Sequence, residues 1–175
     1  GTFVADRSAR TTDLMGGYSF TDQMREMGRQ PQTTILEFDE IEADKHLAGA
    51  MGAHIGDKLF YLKRLRAADG TPMMVERTYL PVRNFLSLKR PMLEGHSLYG
   101  VIERTYGEKI RRAEEEFFAS VARLSDARLL GIDEGDPVLD LVRTTYSTRN
   151  EIVEYTLSVA RADQFKYKVV HQRGE

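Results

Sequence analysis

The chain has 175 residues, 41% hydrophobic and 30% charged, which suits one domain with a sizeable core. A formal net charge of -2 supplies no basic field for a polyanion, and no window is rich enough in Lys and Arg to act as a nucleic-acid arm. The absence of cysteine excludes disulfides, thiolate nucleophiles and Cys-ligated zinc, no apolar run approaches membrane-spanning length, and the chain reads as cytoplasmic, without a membrane partner or a cofactor.

In chain order, "GTFVADRS" has the pattern of a short strand running straight into a polar linker, and it looks like the end of a preceding unit. Residues 6–17, polar and closed by glycine, read as that linker. Ser19 or Thr21 can cap a helix through "FTDQMREMGRQ", with Gly28 and Pro31 as stop signals. "TTILEFDEIEA" alternates as a strand, and "DKHLAGAMGAHIG" predicts a short helix that starts at Asp44 and closes at Gly56. "FYLKRLRAADGTPMMVERTYLP" reads as a hairpin, and "RNFLSLKRPMLEGH" as an irregular connection. "SLYGVIERTYG" predicts a helix with a Ser97 cap and a Gly107 stop. "KIRRAEEEFFASVARL" is read as a strand, because a short helix, "SDARLLGI", capped by Ser125, follows it before two β-rich runs around the turn "TRNE". Strands joined mostly by hairpins, with short helices between them, give an α+β domain on an antiparallel sheet.

In the hairpin, alternation places Phe60, Leu62, Arg64 and Arg66 on one face, so two arginines continue an apolar surface. Whether Glu76 joins them depends on the parity of the loop. A two-residue turn at Asp69-Gly70 pairs Arg66 with Met73 and leaves Glu76 on the other face; an odd loop pairs Arg64 with Glu76. Pro72 cannot donate to a ladder, which favours the odd or bulged arrangement. The cluster is then either an internal Arg-Glu brace or a site for a phosphate or carboxylate, since one glutamate does not neutralise two arginines. Near the carboxyl end Glu154, Thr156, Ser158 and Ala160 share a face, and a carboxylate beside hydroxyls can bind sugar hydroxyl groups. The bland alternatives are a solvent-facing Glu154 on an edge strand, a Ser97 that only caps its own helix and a Tyr99 that only packs in the core. The scattered histidines give no metal motif, and neither a Gly-rich phosphate loop nor a G-x-S-x-G elbow is present.

"LKRLRAADGTPMMVERTYLP", "SLYGVIERTYG", "ARLLGIDEGDPVLDLVRTTY" and "VEYTLSVARAD", in that order, resemble the UTRA domain, the effector-binding half of HutC-like GntR transcription regulators. "GTFVA" resembles the last strand of their winged helix-turn-helix domain, so the resemblance divides the chain into residues 1–17, the end of that domain plus linker, and 18–173, the UTRA domain. It implies a chorismate lyase-like α+β fold, with a central antiparallel sheet flanked by short helices. It also implies a homodimer that meets operator DNA only through the missing winged-helix domain. The implied partner is a small anionic effector such as a sugar phosphate. Carried over residue by residue, Arg64 and Arg66 match the phosphate-gripping R-x-R pair, Glu76 the carboxylate of the next strand, Ser97 and Tyr99 the S-L-Y helix start, Glu154 the V-E-Y glutamate, and Phe20 and Thr21 the S-F-T helix start. The chain departs from the pattern at Ala160, where relatives carry a tyrosine in S-x-Y-R-x-D. A chorismate lyase-like enzyme gripping a carboxylic acid substrate, and a pure dimerisation module, are the competing functions.

Overall fold

The computed structural model describes residues 20–164 and 172–174, with the side chains of residues 21–23 left aside. The expected strand at "GTFVA", the linker and a Ser19 cap lie outside the described residues.

Among the described residues six antiparallel strands form one sheet in the order β1-β2-β3-β6-β5-β4. These are β1 (Pro31–Glu42), β2 (Lys58–Ala68), β3 (Thr71–Pro81), β4 (Ile110–Val121), β5 (Pro137–Ser147) and β6 (Ile152–Arg161). Each half is a meander of neighbouring strands, and pairing of β3 with β6 joins the halves. The sheet's centre is therefore where the hairpin arginines and the carboxyl-terminal glutamate meet, although they are far apart in sequence.

Among the described residues five short α-helices lie against this sheet: α1 (Phe20–Glu26), α2 (Lys45–Met51), α3 (Arg90–Leu93), α4 (Leu98–Gly100) and α5 (Leu124–Leu130). Leu93, Leu98, Val101 and Ile102 pack on Phe60, Leu62 and Leu80 of one sheet face, and Phe20 and Met24 of α1 close on Met74 and Ala160 of the same face. On the other face α2 covers Leu59 and Tyr155, while α5 packs on Val138 and ties its Asp126 to Arg77 of β3. Burial of this apolar surface, at roughly 25 cal/mol per Å2, is the main force holding such short helices in place.

Local chemistry sets most of the boundaries. Asp44 caps α2 by accepting the Leu47 N–H at 2.8 Å. That helix ends at Gly52, whose left-handed φ of 59° lets its N–H reach the Ala48 carbonyl; the predicted stop at Gly56 falls instead in the following loop. Ser97 does cap α4, accepting the Gly100 N–H at 2.9 Å. Beyond Gly100 the chain widens into a π-helical turn, Val101–Thr105, in which the Tyr106 N–H bonds the Val101 carbonyl. In α5 the predicted Ser125 cap is corrected: Arg123 occupies the cap position without a side-chain hydrogen bond, and Ser125 lies inside the first turn.

The β2–β3 hairpin resolves the parity question in its own way. The turn is the tight one, Asp69 and Gly70 at φ 50° and 78°, and of the two arrangements expected, an odd loop or a bulge, the bulge is the one that forms. A bulge opposite Arg66 and Ala67 inserts Met73 as an extra residue, and beyond it Arg66 faces Met74 and Arg64 faces Glu76. The bulge allows Pro72 to pair beside the turn and restores the parity that brings Glu76 to the arginine face.

Candidate functional site

On the α1/α4 face, β2 and β3 build a buried ion cluster. Arg64, Arg66 and Glu76 are 9%, 8% and 7% exposed. Glu76 Oε2 accepts from both guanidiniums, at 2.7 Å from Arg64 and 3.1 Å from Arg66. Burial pushes the Glu76 carboxyl up, but the charges of Arg66, Arg64 and Arg143 outweigh it and hold the group at about 2. Burial lowers the Arg66 guanidinium in spite of Glu76. Its carbon lies 5.0 Å from the Phe20 ring centroid, which places the first turn of α1 against the cluster. Arg64 Nε is buried without a hydrogen-bond partner. An N–H in that position loses its solvation without compensation, so a ligand acceptor would be stabilised there.

Across β6 and β5 the same face changes chemistry. Glu154, 1% exposed, sits on a central strand, which rules out the solvent-facing edge position. Its Oε1 accepts from Tyr99 and Thr145, and its Oε2 from Thr156, each at 2.7 Å. Thr156 also shares a 2.8 Å bond with Thr78 of β3, which connects the two halves. Arg143 lies opposite Thr156 and Glu115 in the strand register. It donates to the Tyr99 hydroxyl at 2.7 Å and to Glu115 at 2.8 Å. Burial and the Glu154 charge push the Tyr99 phenol far up, against the opposing effect of Arg143, so it stays protonated. Burial alone would lower the Arg143 guanidinium, but Tyr99, Glu154 and Glu115 raise it, so the arginine stays charged.

Of the residues singled out in the sequence, the structure joins Phe20, Arg64, Arg66 and Glu76 in one group and Tyr99 and Glu154 in the adjoining one. Ser97 spends its hydroxyl on its own helix and is exposed, and Thr21 is described only as backbone within α1. Ala160 is fully buried beside Met74 and Leu139, where its small side chain leaves room for Phe20 and Met24 to pack down. Arg64, Arg66 and Arg143 share this face with Glu76, Glu115 and Glu154, so the positive surplus expected of the hairpin is confined to the β2–β3 half. Arg143, Glu115 and Thr145 were not foreseen. Arg143 carried the same signal as Arg64, since it alternates with Leu139, Leu141 and Thr145 along its strand. Among the described residues no acidic or histidine cluster can hold a metal ion.

The sequence model of the UTRA domain matches residues 26–166. The chain belongs to the UTRA domain family. The HTH-type transcriptional repressor NagR of Bacillus subtilis is 32% identical over 170 residues, spanning 95% of this chain and 68% of the relative. The mannosyl-D-glycerate transport/metabolism system repressor MngR of Escherichia coli is 27% identical, spanning 99% and 71%. The crystal structure of the effector domain of PhnF from Mycobacterium smegmatis superposes with a TM-score of 0.82 at 25% identity, over 89% of this chain and 95% of that one. The α+β, chorismate lyase-like expectation for the fold is thereby met. This UTRA domain is the effector-binding part of a GntR-type transcription regulator and not an enzyme, so the lyase alternative falls. Among the described residues no helix is long and apolar enough to cross a membrane.

Proposed function

We propose that this domain binds a small phosphorylated metabolite, a sugar phosphate or similar anion, on the α1/α4 face of its sheet, and that binding changes the DNA affinity of a dimeric cytoplasmic repressor. Residues 1–17 then represent the end of the winged-helix domain and its linker, and 18–173 the effector domain. The observation that carries the reading is the Arg64–Arg66 pair, two buried guanidiniums sharing one carboxylate oxygen, with Arg64 Nε left over. Forked N–H donors of this kind suit a phosphate or carboxylate. The neighbouring Glu154, with hydroxyls around it, suits the polyol part of the same ligand. MngR, named for a mannosyl-D-glycerate system, supports a sugar joined to an acid as the general class.

Regulation requires that the ligand distinguish two states, because equal affinity for both shifts nothing. Arg66 supplies a physical link, since the guanidinium that would meet the anion also lies over Phe20 of α1. The test is a thermal-stability screen of the protein against inorganic phosphate and hexose, hexosamine and N-acylhexosamine 6-phosphates. A ligand at a hundred times its dissociation constant should add roughly 2.7 kcal/mol. Stabilisation by a phosphorylated member and not by its dephosphorylated counterpart is the expected result. No stabilisation by any anion, with a folded dimer, would leave the pure dimerisation module as the better description.

A further inference from the structure

We propose that Arg143 is the positioning residue that fixes the hydrogen-bond direction of the wall opposite the arginine pair, and thereby selects effectors that present O–H or N–H donors to it. This rests on the effector-site reading above and adds to it the polarity of the ligand's non-ionic end.

A tyrosine hydroxyl has one proton to give and two lone pairs to accept with. Left to itself, it rotates to suit whatever ligand atom it meets. Here it is not left to itself. Arg143, which has donors only, directs an N–H at the Tyr99 oxygen at 2.7 Å, and the Tyr99 proton goes to Glu154 at 2.7 Å. Reversal would aim the phenolic hydrogen at a guanidinium N–H. What Tyr99 still offers is a single lone pair. Glu154 is in the same condition: a carboxylate has about four lone-pair sites, and Tyr99, Thr145 and Thr156 take three of them. The residual capacity of Tyr99 and Glu154 is therefore acceptor only, while that of the β2–β3 half is donor, at Arg64 Nε. The two sides of the face read opposite hydrogen-bond polarity.

Arg143 is itself held in place. Glu115 on β4 pairs with it in register, and its Nε reaches the Glu115 carboxylate at 2.8 Å. That bond orients the guanidinium towards Tyr99 and balances its charge, so Arg143 is not simply a third cation for the anion. The guanidinium carbon also lies 5.7 Å from the Tyr99 ring centroid, which fixes the ring as well as the hydroxyl.

The experiment measures dissociation constants, by calorimetry, of inorganic phosphate and of the tightest-binding member of the sugar phosphate panel. It uses the wild type, Arg143→Gln, Tyr99→Phe and the double variant, with Arg143→Gln/Glu115→Gln as a charge-balanced companion should the single variant fold poorly. The expected result is that Arg143→Gln changes phosphate affinity less than about twofold but removes about tenfold of the sugar phosphate's advantage over phosphate, the effect of one good hydrogen bond. In the Tyr99→Phe background the same change should have almost no further effect, because the two residues act as a unit. A sugar phosphate deoxygenated at the contacted position should lose affinity against the wild type and little against Arg143→Gln. Equal loss of affinity for phosphate and sugar phosphate would make Arg143 an anion-gripping cation and overturn the assignment, as would multiplicative effects in the double variant. Wild-type protein that binds phosphate but shows no preference for any hydroxylated ester overturns the assignment alone. Protein that binds no anion at all overturns the effector site beneath it.

Discussion

The two halves of the sheet's site face are built from the same kinds of groups and are satisfied differently. In the β2–β3 half two cations compete for one carboxylate oxygen, and a buried donor, Arg64 Nε, remains unused. In the β5–β6 half one carboxylate is surrounded by three hydroxyls, and the arginine there has its own glutamate. A network whose donors and acceptors are nearly matched gives stability and a fixed shape, whereas one with donors left over is suited to a ligand. The first half is thus where an anion should bind, and the second is the rigid surface against which the rest of the ligand is read.

That contrast is broken most directly at Arg66, the residue between the anion site and α1. Arg66→Ala should lower affinity for the preferred phosphorylated ligand at least tenfold, since a charge-assisted contact contributes about 1.5 to 3 kcal/mol. It should also weaken the packing of Phe20, readable as faster amide exchange in α1. With Glu76 held by both guanidiniums in a buried setting, some loss of stability is expected as well, so affinity and melting must be measured on the same protein.

In the second half the order of effects reverses. Glu154→Ala leaves Tyr99, Thr145 and Thr156 without their acceptor and should cost about 2 to 3 kcal/mol in urea denaturation. Ligand-free stability is therefore the more sensitive readout there. If Glu154→Ala melts like the wild type, the picture of a structurally committed wall is wrong.

Acid unfolding sharpens the comparison further. The Glu76 carboxyl falls from 4.5 to about 2 on folding, so its ionised form stabilises the native state above about pH 4.5, and that stabilisation, about 3 kcal/mol at most, is lost as pH falls through about 2. Glu76→Gln should flatten the stability profile in that window and nowhere else. A profile with the same slope as the wild type between those values would show that the arginines do not hold this carboxylate in its charged form.

The smallest expected effect lies at the seam. Thr78→Val removes the bond to Thr156 while keeping the side chain's shape, and should cost about 1 kcal/mol or less. Thr156 retains its bond to Glu154, so ligand affinity should hardly change.

How much of this was legible in the sequence follows the same division. Alternation along single strands was enough to put Arg64 and Arg66 on one face and Glu154 with Thr156 on one face. Glu76 needed one further fact, the loop parity, which a bulge at Met73 decided and the turn residues did not. Glu115 and Arg143 depended on the register of two strands separated by α5, and nothing in either strand alone specifies that pairing. Nor does "SLYGVIERTYG" announce that its helix widens after Gly100, because the i+5 bond of a π-turn has no side-chain signature. The resemblance supplied Tyr99, but what the hydroxyl does there depends on Arg143, which the resemblance had not named.

The most direct test of the anion site is to follow the Arg64 Nε–H signal by nitrogen-15 NMR while inorganic phosphate is added. If this buried, partnerless donor is where the anion binds, the resonance, assigned by its absence from the Arg64→Ala spectrum, should move saturably with the dissociation constant found by calorimetry. Phosphate that binds with the same constant while the Arg64 signal stays where it was would contradict the account.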